Sequence, residues 1–292
     1  MTTKHPATDA FVAHRNLLFT VAYEMLGSAA DAEDVLQETW LRWHEVDQAG
    51  VRDPRAYLVR ITTRLSLNRM RTQARRREQY VGPWLPEPLL TTPDVAEDVE
   101  LADSVSMAML LVLETLAPTE RAVFVLREVF DLSYDEIAAA VDKSPAAVRQ
   151  IASRARAHVE ERRPRADVTP SERDEVIARF LGATATGDLQ GLMDVLAPDV
   201  VLMTDGGGFK KAALRPILGR EKVLRFLEAV MPEDGSADLV VVNGAPGLRL
   251  FVGGVVDAIG TMLVEDGLVT GLYIVRNPAK LARLDALVSL TR

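Results

Sequence analysis

Hydrophobic and polar positions divide the chain into a helical part and a mixed part. Over residues 9–77 and 132–158, apolar residues recur every three or four positions, which is the period of an amphipathic helix. After Pro164 the pattern changes to helices followed by strand runs, with a hairpin turn at Glu265–Gly267. The pattern predicts two all-α domains and then an α+β domain with a curved antiparallel sheet. The predicted segments are 1–78, a linker at 79–103, 104–163 and 168–292.

Residues 132–158 predict two short helices joined by a tight turn. Ser133 precedes Glu136 by three residues, the spacing of a capping box, and Asp142 tolerates the left-handed backbone that such a turn often needs. Ser144 then caps a second helix. This arrangement is typical of a helix-turn-helix whose second helix enters the major groove, although an ordinary helical hairpin with a basic solvent face would share it. The candidate DNA-binding residues are Ser144, Arg149, Gln150, Ser153, Arg154 and Arg156.

Charge is unevenly distributed along the chain. The net charge of −8 by itself argues against nucleic-acid binding. However, residues 54–77 contain eight arginines and no acid, and residues 143–165 contain seven basic residues against two glutamates. Because local patches set the electrostatic footprint, both segments are candidates for phosphate contact.

The first of these segments predicts a helix that starts at Pro54, after a capping Asp53. Tyr57 near its start is placed to stack on an unpaired base. A run of arginines is more often a solvated face, but a stripe without any acid favours phosphate contact. The residues of this stripe are Arg60, Arg64, Asn68, Arg71 and Arg75.

A second polar stripe lies on the helix predicted before it. Asp31 is the expected cap of this helix, and Leu36, Trp40 and Trp43 mark its apolar face. An acidic stripe that contains an exposed leucine suits a groove on a partner protein, and a solvated face explains the spacing equally well. The residues of the acidic stripe are Asp34, Gln37, Glu38, Leu41 and Glu45.

The linker combines proline-rich sequence with large apolar residues. Residues 79–103 contain four prolines and a glycine, so little regular structure is expected before about Val95. A spacer has little use for a tryptophan, and WLPEP at 84–88 therefore predicts docking into a pocket of another domain rather than a mere spacer. The predicted docking residues are Trp84, Leu85 and Pro86.

Composition limits the kinds of site that the chain can contain and the places where it is expected to act. No cysteine occurs, which excludes disulfides and thiolate metal sites in this chain. The N-terminus lacks a basic-then-apolar signal pattern, and no apolar run approaches a membrane span. We expect a cytoplasmic protein with no membrane partner, no cofactor and no bound metal.

Two motif sets, in this order, resemble a known family. DAEDVLQETWLRW followed by RAYLVRITTRLSLNRMR is similar to the σ2 domain of extracytoplasmic-function sigma factors. LAPTERAVFVLREVFDLSYDEIAAAVDKSPAAVRQIASRARAHV is similar to their σ4 domain. The resemblance implies a subunit that directs RNA polymerase core enzyme to promoter DNA.

The resemblance also implies roles for individual residues. The helix-turn-helix residues would meet the distal promoter element as duplex. The clamp helices of the core polymerase would contact Asp34, Gln37, Glu38 and Leu41. The melted upstream element would be met, beside Tyr57, by Arg60, Arg64, Asn68, Arg69 and Arg71. The family often has asparagine at the position of Arg64, aspartate at Asn68 and glycine at Asp142, which leaves the promoter sequence open.

The second half resembles the SnoaL-like, cone-shaped domain of the NTF2-like superfamily in its order of elements. WLPEP in the linker, DGGG at 205–208 and NPAKL at 277–281 together are similar to the sigma-factor group with a SnoaL-like C-terminal extension. Phe209 departs from that group's pattern, in which lysine follows the glycines directly. The resemblance implies that the extension acts in cis on the sigma part.

The DGGG segment is the expected partner of the docked linker. We expect Asp205 to accept hydrogen bonds there, while the glycines Gly206, Gly207 and Gly208 allow close backbone approach. Removing only residues 277–292 is expected to leave this contact intact. Catalysis is not expected, because all four histidines lie outside 167–292, and the candidate pocket residues are then only Asp205, Asp257 and Tyr273.

Two functions of different classes are open at this point. The first is a sigma factor with a regulatory extension, monomeric when free. The second is a ligand-responsive helix-turn-helix repressor, which would bind promoter duplex alone, usually as a symmetric dimer. A small-molecule ligand in the cone is a candidate partner. A requirement for core polymerase separates the two functions.

Overall fold

The computed structural model describes residues 6–164, 168–230, 235–284 and 287–292. Its first part is helical, as predicted. No helix in the described part of the chain is both long and apolar enough to span a membrane. The helices of this part are α1 (Pro6–Leu26), α2 (Ala29–His44), α3 (Pro54–Arg77), α4 (Pro93–Glu97), α5 (Val99–Val105), α6 (Met107–Glu114), α7 (Pro118–Phe124, continued by a π-helical turn at Val125–Val129), α8 (Tyr134–Val141) and α9 (Pro145–Arg162).

Local capping fixes where the helix-turn-helix begins and where it turns. Ser133 Oγ accepts from the Glu136 N–H at 3.3 Å, and the Glu136 carboxylate accepts from the Ser133 N–H at 2.8 Å. Asp142 adopts φ 56°, the left-handed conformation. Ser144 Oγ accepts from the Ala147 N–H at 3.2 Å and so caps α9. The predicted capping box, turn and second cap are confirmed.

The start of α2 differs from the prediction. Ser28, not Asp31, is the cap, since Ser28 Oγ lies 3.3 Å from the Asp31 N–H. Asp31 sits one turn inside the helix, where its carboxylate accepts from Arg69 and Gln73 of α3. The expected Asp31 cap was wrong because the helix begins earlier, after the Ser28 cap, and the Asp31 carboxylate within its first turn binds the side chains of α3.

The two helical units share one hydrophobic core. Leu18 of α1 and Leu58 of α3 belong to the same buried cluster as Phe124, Ile137 and Val148. Helix α3 accordingly packs against both α7 and α8. The two sequence motifs therefore share a single hydrophobic core instead of each burying a core of its own.

The linker is buried over residues 85–91 and forms short helices at its end. Helix α4 begins at Pro93, two residues before the predicted onset of regular structure. Leu90 forms an antiparallel bridge with Val242, and Thr91 forms a parallel bridge with Val288. The backbone groups of the linker are therefore paired with other parts of the chain, as buried N–H and C=O groups must be.

The last part of the chain is an α+β domain built on one six-stranded sheet. Its strand order is β2-β1-β6-β5-β4-β3, and β1 pairs parallel with β6. The predicted antiparallel sheet is corrected to a mixed one, because four strands and a helix separate β1 from β6 in the chain and no hairpin sets their relative direction. The elements are α10 (Pro170–Thr186), α11 (Leu189–Val195), β1 (Leu196–Asp205), β2 (Ile217–Leu218), α12 (Arg220–Val230), β3 (Gly235–Val242), β4 (Ala245–Val252), β5 (Val255–Glu265), β6 (Leu268–Val275) and α13 (Pro278–Leu281).

The two faces of the sheet pack against different parts of the molecule. On one face, Leu202 and Leu272 pack in a cluster with α10 and α11 residues such as Phe180 and Leu192. On the other face, a cluster joins the sheet to the linker and to α6. The members of that second cluster are Leu85, Met107, Val275 and the half-buried Met203, Tyr273, Leu111 and Leu281. The α+β domain is thus attached to the helical part through a sheet face.

The segment after β6 forms only one helical turn before it leaves the sheet. Helix α13 ends at Leu281, and the chain then returns to the helical part. The Val288 N–H donates to the Leu90 carbonyl at 2.8 Å, and the Thr291 N–H donates to Thr20 Oγ1 at 3.2 Å. Leu290 is buried in the core of the helical part. Pairing with the linker offers these backbone groups partners outside a helix.

Glu24 is a buried acid where α1, α5 and α7 meet. Its Oε1 lies 2.8 Å from Ser104 Oγ, which also lies 2.9 Å from the Leu101 carbonyl. Ser104 Oγ donates to this Glu24 oxygen, while the buried Glu24 Oε2 has no hydrogen-bond partner among the described residues, so the charged carboxylate is poorly compensated for its loss of water. Burial raises the pKa of Glu24 to about 8, against the Ser104 hydrogen bond and the Arg121 charge, which lower it.

We expect Glu24 to make stability depend on pH. Its folded pKa of about 8 lies above the ordinary value of 4.5, so its contribution is complete below that ordinary value and is lost as the pH rises through 8. Urea unfolding across this interval should show stability falling by at most about 1.4 kcal/mol per pH unit. Glu24→Gln, which keeps the neutral shape, should flatten this dependence, and the exposed Glu97→Gln should not. A Glu24→Gln protein with the original slope would contradict the assignment.

Candidate nucleic-acid interface and interdomain contact

The second helix of the helix-turn-helix presents its polar residues to solvent. Arg149, Gln150, Ser153, Arg154 and Arg156 are all exposed on α9, while Val148, Ile151 and Ala155 on the other side are buried. The exposed face begins at the capped N-terminus of the helix, beside Ser144.

These exposed arginines differ in how strongly they are engaged. Arg156 binds Glu128 through two nitrogens, at 2.6 and 3.2 Å, and the pKa of Arg156 is raised by that partner. Arg154 lies 3.8 Å from Glu120. Arg149 lies over the Tyr134 ring at 5.4 Å and forms no ion pair within the described residues. Among the arginines of this face, Arg149 would therefore lose the least electrostatic stabilisation on turning towards a nucleic acid.

The basic stripe of α3 is partly occupied by the protein itself. Arg64 donates to the carbonyls of Ala139 and Ala140 at the end of α8, at 2.9 and 3.4 Å. Arg60 lies over the ring of the half-buried Tyr57 at 4.8 Å. These contacts tie the stripe to α8 and cover the Tyr57 ring on one side.

The rest of the stripe is exposed. Asn68 and Arg71 lie on the surface, where Arg71 donates to the Asn68 side chain at 3.3 Å. The side chain of Arg75 lies outside the described residues. Only part of the predicted stripe is thus open to solvent in this arrangement.

The acidic stripe of α2 lies on the outer surface, as its spacing predicted. Leu41 is 62% exposed, and Glu38 pairs with Arg42 at 2.6 Å. Asp34 pairs with Arg69 of α3 at 2.6 Å. This last pair joins the acidic stripe to the basic stripe, which the sequence did not reveal. The exposed residues of the acidic stripe are Asp34, Gln37, Glu38, Leu41 and Glu45.

Asp205, at the end of β1, is a fully buried carboxylate that binds four donors. Its Oδ1 accepts from Tyr80 Oη at 2.7 Å and from the Gly207 N–H at 3.0 Å. Its Oδ2 accepts from the Leu85 N–H at 3.0 Å and from Lys280 Nζ at 2.7 Å. We call these five residues the Asp205 junction. The junction joins the linker, the glycine loop and α13, so the linker and Asp205 do meet.

Lys280 ties the junction to the linker twice. Its ammonium bonds both Asp205 and the Leu85 carbonyl. Burial lowers the pKa of Lys280 to about 8, whereas the Asp205 charge raises it. Burial and Asp205 both raise the pKa of Tyr80. A buried carboxylate with a buried lysine and a tyrosine hydroxyl forms a satisfied polar cluster, as low-dielectric surroundings require.

The Trp84 ring docks on cations rather than on the glycines. Its centroid lies 3.8 Å from the Arg77 guanidinium carbon and 4.1 Å from Lys280 Nζ. The ring edge also meets Gly27, where φ is +63° and a Cβ would clash. The expected packing of Trp84 on the glycine loop is therefore corrected: the aromatic ring binds the cations, and the Leu85 N–H beside it binds Asp205.

The three glycines each have a different neighbour. Gly207 has φ +61°, and a Cβ there would collide with the side chain of Asn277. Gly206 lies against the Lys210 carbonyl, and Gly208 lies against Val81 of the linker. Only Gly208 approaches the linker directly, so the loop supplies close approach mainly to its own domain.

Residues 277–292 belong to this contact, contrary to the expectation that they could be trimmed without harm to it. Asn277 Nδ2 donates to Tyr80 Oη at 2.7 Å, and Lys280 holds both Asp205 and Leu85. The chain folds back after β6, so a C-terminal segment completes a site that begins near residue 80. The NPAKL motif was the only signal for these residues.

A second contact forms at the turn between β3 and β4. Asn243, at φ 53°, accepts from the Leu89 N–H at 3.0 Å. Its amide donates to the Val105 carbonyl at 2.9 Å and to Tyr23 Oη at 2.6 Å. Tyr23 Oη in turn donates to the Glu87 carbonyl at 2.7 Å. One asparagine thus joins the sheet, the linker, α5 and α1. Sequence reasoning missed it, although Asn-Gly between two strand runs is a turn signal.

The remaining candidate pocket residues are engaged as well. Asp257 pairs with Lys210 at 2.9 Å and with Arg276 at 2.7 Å. Burial raises the pKa of Asp257, but the hydrogen bonds and charges of these two cations together hold that pKa below its ordinary value. Burial raises the pKa of Tyr273 to about 12. Neither side chain has the character of a general base poised near neutral pH.

Comparison with known proteins identifies both helical units. Residues 10–76 match the family model Sigma-70 region 2, and residues 106–159 match Sigma-70, region 4. The ECF RNA polymerase sigma factor SigJ of Mycobacterium tuberculosis is 38% identical over 288 residues, which cover 92% of this chain and 91% of that protein. The probable ECF RNA polymerase sigma factor SigI of Mycobacterium tuberculosis is 31% identical, covering 98% of both chains. The crystal structure of SigJ superposes with a TM-score of 0.77 at 35% identity, covering 95% of this chain and 99% of that one.

We expect the Asp205–Lys280 pair to be strongly stabilising in its assembled form. Asp205→Ala strands a buried ammonium and should lower the free energy of unfolding by about 3–5 kcal/mol in urea titrations. Lys280→Met should cost less in the Asp205→Ala background than alone, because both changes remove one contact.

An exposed ion pair provides the control for this cycle. Arg15 and Glu33 pair at 2.7 Å on the surface, and Glu33→Ala should cost no more than about 1 kcal/mol. Strict additivity of the Asp205 and Lys280 changes would refute the pairing.

Proposed function

Since this chain belongs to the extracytoplasmic-function (ECF) RNA polymerase sigma factors, we propose that its C-terminal α+β domain regulates, in cis, how the sigma part engages promoter DNA. As a sigma factor, the protein directs promoter-specific transcription initiation. The observation that carries the regulatory proposal is the Asp205 junction, in which the C-terminal domain holds the linker between the two sigma-70 regions through Leu85.

The outer face of α2 is assigned to core polymerase. It offers an exposed Leu41 among acidic and amide side chains, which suits a groove with basic rims. The ion pairs of Asp34 and Glu38 are exposed, so exchanging them for cations of a partner costs little. The contact residues are Asp34, Gln37, Glu38 and Leu41.

Promoter DNA is assigned to α9 and α3. On α9, Arg149 and Gln150 lie near the N-terminus of the helix, the part of a recognition helix that meets base edges. The α9 residues are Ser144, Arg149, Gln150, Ser153, Arg154 and Arg156. On α3, the exposed end of the stripe suits the melted upstream element. The α3 residues are Tyr57, Arg60, Arg64, Asn68, Arg69 and Arg71.

Regulation follows from where the linker is held. The chain leaves α3 at Arg77 and is bound to the C-terminal domain from Tyr80 to Thr91. The two DNA-binding helices lie on either side of this bound segment in the chain. Docking therefore acts together with the packing of α3 on α7 and α8 to set the distance between them, and with it the spacing of promoter elements that both can reach.

This role requires neither a cofactor nor catalysis by the C-terminal domain. The Asp205 carboxylate is hydrogen-bonded within the junction, and the Asp257 carboxylate is paired with two cations. We assign the domain a regulatory role through its binding of the linker. The protein acts in the cytoplasm beside RNA polymerase and is monomeric when free.

Run-off transcription tests the sigma function. Purified core polymerase with this protein should initiate at discrete sites in a library of genomic fragments, and neither component alone should do so. A repressor would instead bind promoter duplex without polymerase and lower transcription by another holoenzyme. Equal output from core alone on every template would refute the sigma function.

The recognition helix makes a separate prediction. Arg149→Ala and Arg154→Ala should weaken holoenzyme binding to the distal element by about 1–3 kcal/mol where either side chain reads a base, while affinity for core stays unchanged. Arg162→Ala, at the far end of α9, is the matched control. Loss of core affinity with unchanged promoter choice would contradict the assignment of this face to promoter DNA.

The regulatory contact predicts non-additive effects on transcription. Trp84→Ala and Asp205→Ala should shift run-off output in the same direction, because both loosen the docked linker. Their double mutant should differ from the sum of the single effects. Opposite or strictly additive shifts would contradict regulation through this contact.

A further inference from the structure

The loop between β1 and β2 carries cations and an aromatic ring that the roles above do not use. We propose that this loop, residues 206–216, binds the single-stranded part of the open promoter where it passes the end of α3. The proposal rests on the proposed function, since it needs a promoter-melting sigma factor. It assigns the C-terminal domain a nucleic-acid contact of its own, in addition to its regulatory docking.

The side chains of the loop match the chemistry of single-stranded DNA. Phe209 is 77% exposed. Lys211 and Arg215 are exposed and form no ion pair within the described residues, whereas Lys210 is committed to Asp257. A base can stack on an exposed aromatic ring while neighbouring cations meet the phosphates, and this combination is typical of single-strand binding. Duplex phosphates would use the cations but not the ring.

The outward position of Phe209 is built into the backbone. The N–H groups of Phe209 and Lys210 both donate to the Gly206 carbonyl, at 3.0 and 3.1 Å. The Ala213 N–H donates to Thr204 Oγ1 at 2.7 Å, which closes the loop. Arg276 donates to the Lys211 carbonyl at 2.8 Å. The loop is therefore pre-organised, which lowers the entropy lost when a ligand binds.

Two further exposed apolar residues lie at the contact between the loop and the linker. Leu214 is 68% exposed and Val81 is 52% exposed. The Leu214 Cα lies 3.6 Å from the position of a Cβ at Gly82, and Val81 lies 3.4 Å from that of Gly208. Exposed apolar residues that lie close together mark a binding site more often than scattered ones do.

The loop also lies where the DNA path of α3 ends. It contacts residues 81–82, only four residues beyond Arg77, the last residue of α3. Arg71, the last described member of the stripe, lies six residues before that end, or roughly 9 Å at 1.5 Å per residue. A strand held along the stripe thus has the loop within reach as it leaves the helix.

Binding of holoenzyme to two templates tests the proposal. On a promoter with a pre-melted, mismatched upstream element, Phe209→Ala should weaken binding roughly tenfold, and Phe209→Trp should retain it. Lys211→Ala should reduce the slope of log affinity against log salt by about 0.7, the value for one phosphate contact on a single strand. On fully duplex DNA that carries only the distal element, these variants should match the original protein.

Arg225→Ala is the matched control for the charge change, since Arg225 is an exposed cation of the same domain on α12. Equal melting temperatures would show that the exposed substitutions leave folding intact. Unchanged affinity of Phe209→Ala for the pre-melted template, in a holoenzyme that still initiates, overturns the loop proposal while leaving the sigma function intact.

Cross-linking identifies the partner directly. With p-benzoylphenylalanine in place of Phe209, the open complex should yield a cross-link to promoter DNA. A cross-link to a polymerase subunit in its place would assign the loop to protein and overturn the proposal. Failure of the unmodified protein to initiate at all would instead refute the proposed function on which the loop assignment rests.

Discussion

The structure depends on one constraint: a carboxylate removed from water must be given donors. Asp205 is fully buried, and all its hydrogen bonds come from within the protein. An unpaired buried charge would be strongly destabilising. The donors come from the linker, the glycine loop and α13, so satisfying this charge brings three distant segments together. The position of the linker is thus a consequence of electrostatics as well as of packing.

A single anchor would leave the C-terminal domain free to rotate, and the second anchor removes that freedom. Asp205 ends β1, beside β6, whereas Asn243 lies at the turn between β3 and β4, at the other side of the sheet. Between them the linker runs along the sheet from Leu85 to Leu90. Two polar anchors with buried apolar residues between them define both the position and the orientation of the domain on the sigma part.

Features encoded locally could be predicted from the sequence, and features that depend on distant segments could not. The capping box at Ser133 and the turn at Asp142 are set by neighbours within four residues, so their spacing was sufficient. A tryptophan among prolines predicted docking, because a spacer does not need one. No local sequence pattern around Arg64 predicts its hydrogen bond to α8, and none around Asn243 predicts its hydrogen bond to Tyr23. At Asp31 the prediction failed because the helix begins earlier, at the Ser28 cap, and the Asp31 carboxylate instead binds Arg69 of α3.

The contacts of the candidate partner surfaces differ in kind from those of the anchors. Asp34–Arg69 and Glu38–Arg42 are exposed pairs, which contribute about 0–1 kcal/mol each and are screened by salt. The Asp205–Lys280 pair is buried, and separating it leaves two charges without water. A binding partner can therefore replace the surface pairs of α2 and α3 at little cost while the linker stays docked. Arg69 is also held by Asp31, so a partner that engages Asp34 removes only one of the two carboxylates of Arg69 and leaves α2 and α3 joined.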